Sequence, residues 1–390
     1  MNINNLESKN ILQKIKEYIE GYKIQEAELY LNLAKSKFSI HPNIFNYLSA
    51  KLYILKNDIT SASNILTQIK EDIFYEESRY LLSKLHLMNN NFDYGDSLFI
   101  SRLQRGEKQT RYLYNKINTD LPIWNFEKNC KVMIWQDFAI GETVLLLRLI
   151  NILKSHSTVN FTIYLDPRLI FLFEHNFPSF NFVGESVQTD RSLYDYHLPI
   201  GSMIKLIDNS NIEKIKEIPI LKLTKNINQK KNLISIFFSS HNIKDSNHKS
   251  INNDQLLKLL TPLKQDYKFQ IINYGKSKQG LENFLNEHEF KVKPIEKDLY
   301  NNFENLSEVF LNSSMSIMTS CSEAYISASL GVKTIILFNQ TFTSHWMWHQ
   351  KDSNFKNIWF QDLYCYPFKK IREQIIFDHF PNLEKIIEIK

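Results

Sequence analysis

The sequence predicts two architectures in series: an all-helical repeat region, then two α/β lobes. Three observations predict this. Apolar residues recur at helical spacing with almost no strand-like run from residue 8 to 104; the pattern changes near residue 118; and from Lys131 onward short β-type runs alternate with amphipathic stretches. A chain of 390 residues exceeds one ordinary core, so two or three domains are expected. The boundaries that follow are repeats over 1–117, a first lobe over 118–225 and a second over 226–390, whose last segment is expected to cross back to the first lobe.

Within the helical region three places look alike: Ile24-Gln25-Glu26-Ala27, Ile59-Thr60-Ser61-Ala62 and Phe92-Asp93-Tyr94-Gly95. Each is expected to open the second helix of a pair, with a small residue (Ala27, Ala62, Gly95) where two helices pack closely. Their separations, 35 residues from Ile24 to Ile59 and 33 from Ile59 to Phe92, bracket the period of about 34 expected for tetratricopeptide-type repeats. A plain helical bundle is the other reading of the same pattern. His41-Pro42-Asn43 sits between pairs, where proline stops one helix and Asn43 can cap the next. Such stacks offer a concave surface to a protein or peptide, or dock on a neighbouring domain.

Leu121-Pro122-Ile123-Trp124 ends the helical pattern. Strands are then expected at Val132–Trp135, Phe161–Leu165, Leu233–Phe238, Phe269–Tyr274, Met315–Met318 and Lys333–Phe338, and helices at Glu142–Leu153, Asn253–Leu263, Gly280–His288 and Cys321–Leu330. Alternation of this kind argues for parallel sheets covered by helices, with Lys222–Lys231 as the link between lobes. Open α/β sheets bind ligands beyond the carboxyl ends of their strands, so the loops after the strands are where chemistry belongs.

Composition narrows the function. Hydrophobic residues at 43% and charged residues at 23% are those of a globular protein. The net charge of +5 is spread along the chain, with no basic stripe interleaved with aromatics, so nucleic acid is not indicated. Cys130, Cys321 and Cys365 are far apart, giving neither a disulfide framework nor metal-ligand spacing. The N-terminus carries no signal-peptide pattern. The most apolar stretch, Val144 to Leu153, is interrupted by Arg148 and Asn151. A cytoplasmic protein is expected, with any contact at the inner membrane peripheral and no transmembrane segment. No Gly-x-x-x-x-Gly-Lys-Ser/Thr occurs, which argues against a P-loop nucleotide hydrolase.

Three loops are candidate sites. After the first strand, Gly141 permits a tight strand-to-helix turn and Glu142 lands in the first helical turn. A carboxylate there is either an acceptor's general base or an acid stabilised by the helix dipole. After the second lobe's first strand, Ser239 and Ser240, with Lys249 shortly beyond, form either a phosphate cradle or a polar surface loop. Thr319-Ser320-Cys321-Ser322-Glu323 leads into a helix rich in small residues that ends at Gly331, and its N-terminal amides could hold a diphosphate. Cys321 has no neighbouring histidine, which argues against a nucleophile. Trp346, Trp348 and Trp359 could stack on a base or sugar, or pack.

In order along the chain, these segments resemble bacterial tetratricopeptide-repeat proteins with a heptosyltransferase-like (family 9-type) glycosyltransferase domain. Leu121-Pro122-Ile123-Trp124 and Val132 to Thr143 are similar to that family's entry segment: Pro-x-Trp, a strand, Trp-x-Gln-Gly-x-Gly-Asp and a helix ending Leu-Arg, here Leu147-Arg148. Tyr196 to Met203 resembles its Asp/His-x-Pro-x-x-Ser-Leu segment, Asn247 to Ile251 its Arg-Ser-Ile element, and Thr319 to Val332 its Asp-Thr-x-x-x-His-x-Ala-x-Ala-Leu-Gly stretch. His345-Trp346-Met347-Trp348, Asp352-Ser353 and Ile358 to Gln361 are similar to its closing Trp-x-Trp, Asp-Ser-x-Trp and Phe-Arg-Gln. The resemblance implies a GT-B fold, two Rossmann-like lobes with the sugar nucleotide held mainly by the second, and inverting, metal-independent transfer without a cofactor. The acceptor would be a protein or glycan, reached with the help of the repeats. It implies Glu142 as base, Lys249 facing phosphate, and Gly141, Ser239, Ser240, Ser320, Cys321, Ser322 and Glu323 around the substrate. The sequence departs from the family at Glu142 (Asp in the family), Ser320-Cys321 (Asp-Thr), Tyr325 (His) and Phe138 (Gly). The departures leave open a fold kept for binding after catalysis was lost.

Overall fold

The computed structural model describes residues 3–70, 74–104, 121–184, 190–208, 215, 218, 220–228, 230–238, 249–341, 343–371, 374–383 and 386. It divides into two compact units. The first comprises Met1–Glu107, Phe338–His349 and Pro367–Phe380; the second comprises Lys108–Leu337, Gln350–Tyr366 and Pro381–Lys390.

The first unit contains three helix pairs: α1 (Ile3–Glu20) with α2 (Ile24–Lys37), α3 (Pro42–Leu55) with α4 (Ile59–Leu66), and α5 (Tyr75–Met88) with α6 (Phe92–Phe99). The second helices begin at Ile24, Ile59 and Phe92, the three starts read from the sequence. Ala27 and Ala62 are fully buried, and a Cβ on Gly95 would lie 2.7 Å from the side chain of Leu87, so each pair does close over its small residue. Side-chain caps fix the helix starts: Asp58 accepts from the amide of Ser61 at 3.0 Å and Asn91 from that of Tyr94 at 3.4 Å. At α3 the cap is His41, whose Nδ1 accepts from the amide of Asn43 at 3.3 Å with Pro42 at the first helical position. Asn43 lies inside the helix because proline's fixed φ suits the first helical position, which moves the cap two residues earlier, to His41. The same unit includes a 3₁₀ helix, Thr343–His349, against which α5 packs.

The second unit holds the first sheet, built from β1 (Lys131–Trp135), β2 (Asn160–Leu165), β3 (Asn181–Gly184) and β4 (Tyr196–Pro199) in the order β3-β2-β1-β4, all parallel. Its helices are α7 (Ile140–Leu147), α8 (Ile150–Leu153) and α9 (Pro167–Asn176). The single helix expected over Glu142–Leu153 is broken after Leu147, and a second short helix follows. Residues 118–120 lie outside the described residues, but Ile123 bridges His197 and so extends the edge beside β4.

The second sheet runs β10-β9-β8-β7-β5-β6, from β5 (Lys230–Phe237), β6 (Lys268–Ile271), β7 (Ser313–Thr319), β8 (Thr334–Asn339), β9 (Leu363–Ile371) and β10 (Gln374–Phe377). Its helices are α10 (Asn253–Leu260), α11 (Gly275–Glu287), α12 (Phe303–Leu311) and α13 (Ser322–Ser329). Strands β1, β2, β7 and β8 are buried along almost their whole length, as parallel strands covered on both faces must be. The wholly parallel expectation fails at β9 and β10, which pair antiparallel as a hairpin. A two-strand hairpin needs only a short turn, whereas a parallel return needs a crossover.

In each sheet the chain first extends to one side and then returns to the other. β1 is flanked by β2 and β4, and β5 by β6 and β7. Those two reversals are the switch points where loops diverge and leave a crevice at the strands' carboxyl ends.

Candidate functional site

The loops at the two switch points meet within the second unit. After β1 the chain turns through Gln136 to Ala139 into α7; after β7 it turns through Ser320 and Cys321 into α13. These helices pack together at their first turns. A Cβ on Gly141 would lie 2.5 Å from the ring of Tyr325 and 3.3 Å from Cα of Ser322, so only glycine allows the approach. Gly141 therefore brings the two loops together, and its role is packing between helices as much as turning.

Glu142 is half-buried in the first turn of α7, close enough to Tyr325 for its charge to help hold that phenol protonated. Burial is the larger cause, since Tyr325 is fully enclosed. The Cys321 thiol is likewise pushed well above its ordinary value, chiefly by burial and next by Glu323, while Lys249 pulls the other way. Its sulfur lies 3.8 Å from that of Met318. A thiol so held is not a nucleophile, in line with the sequence reading. Lys249 is half-buried within electrostatic reach of Cys321. Ser320 is buried, while Ser322 and Glu323 are half-buried in the turn that opens α13. Ser239 and Ser240 lie outside the described residues. The structure thus brings Gly141, Glu142, Lys249, Cys321, Ser322 and Glu323 into one region, drawn from three loops.

Sequence reading missed the residues that surround this group. Gln136 is buried, donates to the carbonyl of Phe138 at 2.9 Å and accepts from the amide of Asp166 at 2.8 Å, tying the loops after β1 and β2. Asp137, fully buried, accepts from the amide of Gly201 at 2.7 Å and joins the loops after β1 and β4. Asp166 caps α9 and holds Arg168 through Nε at 3.0 Å and Nη2 at 2.7 Å. Half-burial would raise the Asp166 carboxyl, but its bonds to Arg168 outweigh that and hold it low. Arg168 also donates to the carbonyl of Tyr300 at 2.9 Å and lies over the rings of Tyr300 and Phe303, so it bridges from the first sheet's loops to the second's. Tyr300 meets Tyr274 edge to face, and the Tyr274 hydroxyl donates to Glu323 at 3.0 Å. Burial, then the charge of Glu323, drives the Tyr274 phenol far up, so it remains a donor. The Asp166-Pro167 pair was the available signal: an N-cap followed by proline marks a helix start beyond a strand.

Trp346, Trp348 and Trp359 are all buried, which assigns them to packing rather than to stacking on a ligand. Among the described residues no group of three His, Cys, Asp or Glu could hold a metal, and no helix is long and apolar enough to cross a membrane.

No family model matches the sequence, and no curated protein matches it. Solved structures do. A family 9 glycosyl transferase from Veillonella parvula is similar over 54% of this chain and 81% of its own, at 10% identity and a TM-score of 0.38. The ADP-heptose lipopolysaccharide heptosyltransferase II of E. coli is similar over 60% and 89%, at 8% identity and 0.40. An O-GlcNAc transferase mutant from Thermobaculum terrenum is similar over 87% and 84%, at 10% identity and 0.29. These scores are low, and the functional reading rests on the site's own residues.

Proposed function

We propose that the chain transfers a sugar from a nucleotide sugar to a hydroxyl of a protein or glycan acceptor, by an inverting and metal-independent displacement on a GT-B-type pair of lobes. The observation that carries this reading is the meeting of two helix N-termini, one from each sheet, with Glu142 on one, Glu323 on the other and Lys249 beside them. In this reading residues 118–225 take the acceptor and residues 226–390 the nucleotide sugar, while the repeats select the acceptor.

Each step has a group to perform it. Glu142 takes the proton of the acceptor hydroxyl as its oxygen attacks the anomeric carbon from the face opposite the leaving group. The bond from that carbon to the diphosphate oxygen breaks, and the departing charge falls to Lys249 and to the amides of Ser322 and Glu323 in the first turn of α13. Ser239 and Ser240 would supply further donors. Glu142 reaches one methylene further than aspartate, which moves the base without changing its chemistry.

A second reading, a sugar-nucleotide-binding scaffold without turnover, draws support from the buried Cys321 and Tyr325 at positions where the resembling family has Thr and His. A panel of nucleotide sugars separates the readings. Transfer predicts that one donor raises the melting temperature and is slowly hydrolysed or passed to added acceptor. A rise without any turnover supports the scaffold, and no rise with any donor removes both.

A further inference from the structure

Arg148 lies at the far end of α7 from Glu142, with 2% of its surface exposed. Its Nη1 reaches the carbonyl of Trp359 at 3.3 Å and its Nη2 that of Ile218 at 3.5 Å, and the guanidinium lies over the ring of Phe360, 4.6 Å from its centroid. Both bonds are long, so charge and stacking contribute as much as geometry. Three distant segments therefore end on one buried cation: the helix of the first sheet, the connector between the sheets, and the segment after Gln350.

The carbonyl of Trp359 is itself rigidly presented. Buried Gln350 accepts from the Trp359 indole through its side chain and from the amide of Ile358 at 3.0 Å and Asn357 Nδ2 at 3.0 Å through its carbonyl. Asn357 in turn accepts from the amide of Trp359 at 2.9 Å. The connector is tied down as well: the amide of Leu221 donates to the carbonyl of Ser329, at the end of α13. A cation at the C-terminal end of a helix also suits the helix dipole. Burial lowers the guanidinium to about 9, which leaves it charged at neutral pH.

We infer that Arg148 is a positioning residue: by clasping the Gln350–Phe360 turn and the connector at one end of α7, it fixes the angle at which the other end presents Glu142 against α13. Its catalytic part rests on the transfer reading above. α7 has eight residues, about 12 Å at 1.5 Å per residue, short enough to move as a rod. A guanidinium's planar fork serves two carbonyls at once, whereas lysine offers a point charge and glutamine a neutral amide.

The test compares Arg148→Lys and Arg148→Gln in the full chain, by donor titration, steady-state kinetics and hydrogen exchange. The inference predicts that R148Q lowers kcat roughly tenfold or more, since displacements of about 1 Å at a site are this costly. Donor KM should stay within about twofold, and R148K, which keeps the charge but not the fork, should recover only a small part of the loss. Exchange should rise both along Thr143 to Leu147 and in the Gln350–Phe360 turn. Unchanged kcat in a folded R148Q, or exchange raised only beside residue 148, overturns it. If R148Q does not fold, R148K carries the exchange comparison, and protection of α7 equal to the parent's overturns the inference. If the parent protein transfers no sugar, the functional reading fails while the exchange arm still decides whether Arg148 couples the two ends.

Discussion

Gly141 shows how much one missing methyl group can position. Adding it places a carbon 2.5 Å from the ring of buried Tyr325, which has no room to retreat. Gly141→Ala is therefore expected to cost about 1–3 kcal/mol, the usual range for overpacking a filled core. In a Tyr325→Leu background the added cost should shrink, and urea unfolding of the four proteins measures that coupling. Glu142 makes a different demand, on chemistry rather than space. Glu142→Gln should lower turnover by at least about 100-fold, the lower end of general-base contributions, with donor affinity unchanged by calorimetry. Unchanged turnover would take Glu142 out of the base role. His197 offers a pH test. Its Nδ1 accepts from the Trp135 indole at 2.9 Å, so the ring must be neutral, and burial lowers its proton affinity against a smaller opposing pull from Asp137. The unfolded chain takes the proton first, so this stability is present at neutral pH and declines as pH falls below about 6.5. Urea midpoints between pH 7 and 5 should fall less steeply in His197→Gln than in the parent.

At the scale of elements, what was legible in the sequence depended on local repetition. Helix pairs announce themselves three times over, because each second helix needs a small residue in the same place, and in two of them a capping Asp58 or Asn91 stands just before it. Strands β1, β2, β5, β7 and β8 are apolar runs buried on both faces, and so stand out. The unforeseen elements are those whose character is set by distant partners. β4 is four residues ending in proline, and becomes a strand because Val132 to Trp135 pairs along it. β9 carries Lys369 and Lys370, which read as surface rather than sheet. The site divides in the same way. Gly141, Glu142 and Glu323 follow strands and begin helices, which local pattern reveals, whereas Arg168 meets Tyr300 across 132 residues of chain. The third helix pair yields a direct prediction. Phe99, 1% exposed, ends α6 and packs on Tyr80 and, edge to face, on Trp346. Phe99→Ala should cost about 3–5 kcal/mol, as for other buried phenylalanines, and chemical denaturation followed by tryptophan fluorescence should register it.

At the scale of the whole molecule, the six helices do not form a unit by themselves. Their unit also takes in Phe338–His349 and Pro367–Phe380, which arrive more than 200 residues later in the chain. The reason lies in α5. Most of its residues are buried, including Lys84, because it packs on α6 along one side and on the Thr343–His349 helix along another. A helix apolar on more than one face needs partners on each. A protein consisting of residues 1–104 would keep the three helix pairs but lose that cover, baring Phe99 where Trp346 had packed. Such a fragment should show near-native far-ultraviolet circular dichroism, bind a hydrophobic dye, and melt with less calorimetric cooperativity than the full chain. A sharp transition without dye binding would show instead that the six helices close their own core.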